Sequence, residues 1–271
     1  MIPINKPFAD ADSSKSGYEE DQLEQEFLRI ASWYEGAMEE GISILLEAKH
    51  SLENASGYPH TMIRSLSSRL KTPKSIIEKM KRFNFELTFE SMQNNLQDIA
   101  GLRIVCSYIY DIYALRRWLL SKTNLSLIVA KDYISSPKPS GYRSLHLIFN
   151  VPVTRGDETR LIPLEMQIRT TAMDSWASLE HQLRYKANLI RDDQIHQELK
   201  ECASLLYQSD LRMQKIFVKL FLQEDDEESQ SNPKQDRLEF SGHRLITSQQ
   251  QDSAAFDRIV ALAMDQNKEQ S

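Results

Sequence analysis

Apolar and polar residues alternate most strictly between Leu145 and Val153, where Leu145, Leu147, Phe149, Val151 and Val153 occupy every second position. A period of two predicts a strand with one buried face. The sequence Arg155-Gly-Asp-Glu then reads as a hairpin turn into a further strand over residues 159–168. There Ile162, Leu164, Met166 and Ile168 point one way, while Glu165, Gln167 and Arg169 point the other. Two earlier strands are predicted, a buried one at 101–106 and another at 125–134. Residues 135–141, Ser-Ser-Pro-Lys-Pro-Ser-Gly, form a loop by composition.

A period near four marks the helices. Over 18–52, Leu23, Phe27, Ile30 and Tyr34 recur at helical spacing, and residues 54–60, with Gly57 and Pro59, break the pattern. Thr72-Pro73 supplies an N-cap and a first-turn proline for a helix to about Phe83. Its apolar stripe is Ile76, Met80 and Phe83, with Ser75, Lys79 and Arg82 on another face. A short helix is expected at 89–95 and another at 109–120, the latter with Ile112, Leu115 and Leu119 on one side. Helices return at 172–186, burying Trp176, Leu179 and Leu183 opposite Asp174 and His181, and at 189–222. The expected fold class is α+β: four mixed strands with helical arms at both ends. Residues 1–17 read as a flexible N-terminus, 18–222 as the folded domain, and 223–271 as an acidic, flexible tail with a weak helix at 256–264.

Composition narrows the class. With 41% hydrophobic and 27% charged residues, the 271-residue chain can bury a real core. Cys106 and Cys202 are far apart and lack zinc-ligand spacing, which argues against a disulfide framework and a structural zinc site. No apolar run is long enough for a membrane span and no secretion signal is visible, so a cytoplasmic location is expected. The net charge of −6 disfavours a general nucleic-acid coat. Yet Arg64, Arg69, Lys71, Lys74, Lys79, Lys81 and Arg82 cluster against the single acid Glu78. A basic island in an acidic chain suits a localised anionic ligand, although a solvated helix face explains it equally well.

Several side chains have chemical potential. Glu165, Gln167 and Arg169 place a carboxylate, an amide and a guanidinium in a row on one sheet face, where they can hold a metal-bound or hydrogen-bonding ligand. The strand alone reads more readily as half exposed with its polar side wet. Asp98, just ahead of the first predicted strand, suits Mg²⁺, which takes one or two carboxylates plus substrate phosphates and water. An ordinary capping role would also explain an aspartate there. Lys71 and the helix after Pro73 combine cations with a helix N-terminus, a plausible polyphosphate cradle. In Lys138-Pro-Ser-Gly-Tyr-Arg-Ser-Leu-His, a tyrosine stands among cations, a composition that stacks bases and contacts phosphate.

Taken together, Arg-Leu-Lys-Thr-Pro-Lys-Ser-Ile, Gln-Asp-Ile-Ala-Gly-Leu-Arg-Ile, Lys-Asp-Tyr-Ile, Ser-Gly-Tyr-Arg-Ser-Leu-His, Glu-Met-Gln-Ile-Arg-Thr and Trp-Ala-Ser-Leu-Glu-His resemble the synthetase domain of the RelA/SpoT-type family. The likeness is strongest to its stand-alone members, the small alarmone synthetases, and runs from about Arg69 to Lys186. It implies a mixed β-sheet core related to nucleotidyltransferases, and transfer of pyrophosphate from ATP to the 3′-hydroxyl of GTP or GDP. It assigns Mg²⁺ to Asp98 and Glu165, with Glu165 also deprotonating the hydroxyl. Arg69 and Arg103 would sandwich adenine, and Lys71, Ser75, Lys79 and Arg82 would hold the ATP phosphates. Tyr142 would stack on guanine near Gln167, while Lys131, Lys138 and His146 would face GTP phosphates. Asp174 falls on the guanine side, where many relatives carry asparagine.

No His-Asp hydrolase signature precedes Arg69, so a synthetase without hydrolase activity is expected. The resemblance also implies a homo-oligomer, often a tetramer. A nucleotidyltransferase acting on RNA or a small acceptor is disfavoured by the single acid at Asp98. The non-enzymatic alternative is a degenerate nucleotide-binding regulator, or one that takes single-stranded RNA on the basic island.

Overall fold

The computed structural model describes residues 11–56, 60–186 and 193–221. The expected N-terminal segment before residue 11, the acidic tail and the helix at 256–264 lie outside the described residues. Eleven elements follow in order. These are α1 (Ala11–Ser56), β1 (Ile63–Leu70), α2 (Pro73–Arg82), α3 (Phe89–Asn95), β2 (Ala100–Cys106), α4 (Ile109–Leu120), β3 (Ser126–Asp132), β4 (Leu145–Arg155), β5 (Glu158–Thr170), α5 (Thr171–Lys186) and α6 (Asp193–Phe221). They build a mixed five-stranded sheet in the order β1-β2-β5-β4-β3, with β2 and β5 parallel and the other pairs antiparallel.

The alternation read from β4 and β5 sets the two faces of this sheet. Leu145, Leu147, Phe149, Val151 and Val153 are buried, as are Ile162, Leu164, Met166 and Ile168. Leu102 and Ile104 of β2 join the same layer. Helix α1 lies across it and contributes Leu23, Phe27, Tyr34, Ala37, Leu45 and Ala48. The approach is close because Gly41 has no side chain: a Cβ there would lie 2.4 Å from a methyl of Leu164 and 2.9 Å from one of Leu102. Ile112, Leu115 and Leu119 of α4 are fully buried in the same core.

Four expectations change. The first edge strand, β1, was not predicted: Ile-Arg-Ser-Leu-Ser-Ser-Arg-Leu has few apolar residues, and a register shift between Ile63 and Ser65 breaks its alternation. Among the described residues the sheet therefore has five strands, and Arg64 and Arg69 of the basic island sit on β1. Helix α1 begins at Ala11, ahead of the expected residue 18. Phe83 is 53% exposed at the end of α2, where Ile77 takes the third buried position beside Ile76 and Met80. On α5, Trp176 is buried as expected, but Leu179 and Leu183 are 56% and 47% exposed. Helix α6 covers the Trp176 side of α5, with the Trp176 indole N–H donating to the Leu199 carbonyl at 2.8 Å.

Helix α6 is also tied to the end of β5. The Thr170 hydroxyl donates to Asp210 Oδ2 at 2.6 Å and accepts from the Met173 N–H, which caps α5. Burial pushes the Asp210 carboxyl up to about 6, and the Thr170 hydrogen bond only partly opposes this. A raised carboxyl binds its proton more tightly in the folded state, so its contribution to stability is full below the ordinary aspartate value and is lost as pH rises through about 6. Asp210→Asn keeps an acceptor for Thr170 and abolishes this titration. Thermal melts from pH 4 to 8 should show the variant gaining on wild type as pH rises. The two curves should run closest together near pH 4.

Candidate active site

The polar face of the sheet carries the chemistry, and strand register determines which residues share it. Gly101 of β2 pairs with Arg69 of β1 and with Glu165 of β5; one step along, Arg103 pairs with Ser67 and Gln167. Gln167 in turn pairs with His146 of β4, and His146 with Lys131 of β3. Ser67, Arg69, Lys71, Asp98, Gly101, Arg103, Glu165 and Gln167 line one cleft of about 430 Å³. Gly101 forms its floor. Its neighbours there are backbone carbonyls 3.8 Å from where a Cβ would stand, so the glycine leaves open room between Arg69 and Glu165.

Two carboxylates face this space. Lys71 and Lys79 both reach Asp98 Oδ2, at 2.8 and 2.7 Å, bringing the strand-to-helix junction and α2 onto one acid. Burial works against ionisation of Asp98, but the two lysine hydrogen bonds outweigh it and hold the carboxyl below its usual range. Its second oxygen, Oδ1, is buried without a hydrogen-bond partner. Burial likewise opposes ionisation of Glu165, and contacts from His146 and Gln167 overcome it. The charge of Asp98 pushes Glu165 the opposite way, as expected of two acids facing one cleft. Both groups are therefore ionised at neutral pH. An unpartnered carboxylate oxygen beside a second carboxylate fits a hard cation, and no set of three His, Cys, Asp or Glu side chains forms a separate cage among the described residues.

Beyond Glu165 the side chains close into a ring. His146 Nδ1 lies 3.0 Å from Glu165 Oε1, and its Nε2 lies 2.7 Å from the Tyr142 hydroxyl. Arg169 donates to that hydroxyl at 2.7 Å and to Gln167 Oε1 at 2.8 Å, and the Gln167 amide donates to Glu165 Oε2 at 2.8 Å. A proton on His146 Nδ1 satisfies every link. Arg169 also donates to Asp174 Oδ1 at 3.1 Å, and Arg103 stands 3.7 Å from the same oxygen. Lys138 lies 4.8 Å from the centre of the Tyr142 ring.

Most of the expected residues thus converge. Arg69, Lys71, Asp98, Arg103, Glu165 and Gln167 line the cleft and Lys79 reaches it through Asp98. Tyr142 and His146 adjoin it through the ring, with Lys138 near the Tyr142 ring and Asp174 bonded to Arg169. Three stand apart from these contacts. Ser75 is engaged in the N-cap of α2 with Thr72. Arg82 lies 5.1 Å from the ring of Phe83 at the far end of that helix. Lys131 is exposed on β3, joined to the site by its register with His146. Two participants had no individual role assigned to them. Arg169, 4% exposed, was visible only as the third member of the polar row on its strand. Tyr133, from Lys-Asp-Tyr-Ile, packs edge-on against both Tyr142 and His146.

The mixed sheet that carries this cleft recurs in known proteins. Residues 68–189 match the region found in RelA / SpoT proteins. The chain is 44% identical over 154 residues to the GTP pyrophosphokinase YwaC of Bacillus subtilis, covering 57% of this chain and 73% of that protein. The chain belongs to the RelA/SpoT family of GTP pyrophosphokinases. Among solved structures it is similar to small alarmone synthetase 2 of Bacillus subtilis, with a TM-score of 0.64, 35% identity and coverage of 71% of this chain and 98% of that one. It is also similar to small alarmone synthetase 1 of that organism bound to its product pppGpp, with a TM-score of 0.65, 30% identity and coverage of 72% and 98%. A further structure of that synthetase, bound to AMPCPP, matches with a TM-score of 0.59 and 26% identity over 72% of this chain and 98% of that one.

The buried position of Arg169 makes it a structural test of the ring. Arg169→Leu would leave Gln167 Oε1, the Tyr142 hydroxyl and Asp174 without their donor. Urea unfolding should show a loss of about 1–3 kcal/mol for each acceptor left buried and unpaired.

Proposed function

We propose that the protein transfers the β,γ-pyrophosphate of ATP to the 3′-hydroxyl of GTP or GDP, giving AMP and (p)ppGpp, the signal of the stringent response. The observation that carries this reading is the division of one sheet face by Asp98 and Glu165. Arg69, Arg103 and the α2 lysines lie toward one side, and Tyr142, His146 and Lys138 toward the other. The relatives bound to AMPCPP and to pppGpp support nucleotides on both sides.

In this reading the ATP adenine lies between the guanidinium groups of Arg69 and Arg103, which sit diagonally on adjacent strands of the same face. Lys71 and Lys79, held in the structure by Asp98, turn their charge to the phosphates, joined by Ser75 and Arg82. Guanine stacks on Tyr142, whose ring is fixed by His146 and Arg169, with Gln167 and Asp174 at its edge. Lys131, Lys138 and His146 face the acceptor phosphates. Asp98 and Glu165 hold Mg²⁺, which when bound neutralises phosphate charge at the reacting centre. Glu165 accepts the proton of the 3′-hydroxyl as its oxygen bonds to the β-phosphorus and the bond from that phosphorus to the α-phosphate oxygen breaks. The rest is positioning and charge, as in phosphoryl transfer generally.

Self-association forms part of the proposal. Leu179 and Leu183 of α5 and Leu205, Met213, Ile216 and Leu220 of α6 are exposed, as an oligomer, such as a homotetramer, would require. No helix among the described residues is long and apolar enough to cross a membrane. The free thiols Cys106 and Cys202 suit a reducing cytoplasm.

Incubation with ATP, GTP and Mg²⁺ should yield AMP and a 3′-pyrophosphorylated guanosine nucleotide. Absence of turnover would favour the non-enzymatic regulator. Glu165→Gln preserves shape but removes the base and a metal charge, and synthesis should fall by at least ~10²-fold with the fold intact. Tyr142→Ala should cost about 1–3 kcal/mol of GDP binding by calorimetry while a non-hydrolysable ATP analogue binds as before. Equal losses for both ligands would make Tyr142 a structural residue.

A further inference from the structure

The loop over residues 133–144, between β3 and β4, carries Lys138 and Tyr142, and its two ends are tied together. Asp132 Oδ1 accepts from the Ile134 and Ser135 N–H groups at 2.9 and 3.1 Å, and its other oxygen accepts from the Tyr113 hydroxyl at 2.8 Å. The Tyr133 N–H bonds the Ser144 carbonyl at 3.0 Å, and the Arg143 guanidinium donates to the Ile134 carbonyl. At the tip, Lys138 N–H bonds Tyr142 O and Gly141 N–H bonds Lys138 O. These bonds set the loop's shape. They leave open what sets its position over the cleft.

Helix α6 supplies that position through two contacts. The Arg143 guanidinium carbon lies over the Tyr207 ring, 3.7 Å from its centre, close enough for a cation–π contact. Nearer the tip, Gly141 has φ +89°, a conformation that favours glycine, and a Cβ there would stand 2.7 Å from the Cβ of Ala203 and 3.4 Å from the Cα of Lys200. Loop and helix touch at this point because both residues are small. Between the two contacts, Tyr142 packs against the cluster of Trp176, Ala177 and Ala203, as do Leu199 and Leu206 of α6. Helix α6 lies beyond the residues that match the family model, 68–189.

We propose that α6 positions the acceptor-nucleotide loop, with Tyr207 acting through Arg143 and Ala203 acting through Gly141 as positioning residues that touch no substrate. The inference rests on the assignment of Tyr142 to the acceptor base. The ATP side is built from β1, α2 and the start of β2, so a displaced loop should change acceptor use selectively.

The test compares wild type, Tyr207→Ala, Tyr207→Phe and Ala203→Leu, with KM and kcat measured separately for GDP and ATP and a thermal melt for each. Tyr207→Ala should raise the KM for GDP by ~3- to 30-fold, the factor equivalent to a cation–π contact of this kind, with the KM for ATP within about twofold of wild type. Tyr207→Phe keeps the ring face and should restore the GDP KM. Ala203→Leu, which presses on Gly141, should repeat the selective rise from the opposite contact, and it carries the test if Tyr207→Ala does not fold. A parallel rise in both KM values, a phenylalanine variant as impaired as the alanine one, or an unchanged GDP KM in folded variants would overturn the proposal. Wild type run alongside separates the two levels. Failure to use any guanine nucleotide would defeat the acceptor assignment itself, whereas active wild type with indifferent variants would defeat only the role of α6.

Discussion

The parallel pairing of β2 with β5 is the constraint on which the rest of the structure depends. It sets Gly101 beside Glu165 and Arg103 beside Gln167, and the same register turns Leu102, Ile104, Leu164, Met166 and Ile168 to the opposite face. Because the strand period is two, a slip of one residue would send the apolar set into the cleft and the charged set under α1. Burial of the hydrophobic layer therefore holds the active-site register in place. Parallel neighbours cannot be joined by a tight turn, and the chain passes through α4 and the far strands β3 and β4 before β5 comes back beside β2. That detour delivers His146 and the Tyr142 loop to the far side of Glu165.

On the polar face, cations and hydrogen-bond donors keep two neighbouring acids ionised. Burial alone would raise both carboxyls; Lys71 and Lys79 reverse this at Asp98, and His146 with Gln167 reverse it at Glu165. Arg169 closes the arrangement from a nearly dry position, linking Tyr142 to Gln167 and Asp174. Donors already directed at fixed acceptors need little reorganisation when charge moves, which is how a protein of this type contributes to phosphoryl chemistry.

The flanking helices act at close quarters because small residues let them. Gly41 brings α1 onto Leu102 and Leu164, and the pair Gly141 and Ala203 brings α6 onto the loop beside Tyr142. Helix α1 thus supports the sheet from its apolar side, while α6 supports one loop of its polar side. The hydrogen bond from Thr170 to Asp210 fastens α6 to the strand that carries Glu165.

The sequence by itself determined the elements whose periodicity is strong. The alternation of β4 and β5 and the apolar side of α4 were legible because each buries a regular stripe against one hydrophobic layer. The motif residues around Asp98, Glu165 and Tyr142 were legible as chemistry, through residue type and through family resemblance. Tertiary structure decided the remainder. Strand β1 was hidden because its register shift and serines erase a period of two, and its place comes from pairing with β2. Leu179 and Leu183 follow the same helical stripe as Trp176, yet Trp176 is buried with its indole bonded to α6 while the two leucines stay about half exposed. Arg169 looked like one more polar residue on a wet strand face. Its importance arises from Tyr142 and Ser144, which are distant in sequence and which local pattern cannot bring to it, together with Asp174 on the following helix. Periodicity reports which side of an element is apolar, whereas only the packed sheet specifies which polar groups face one another.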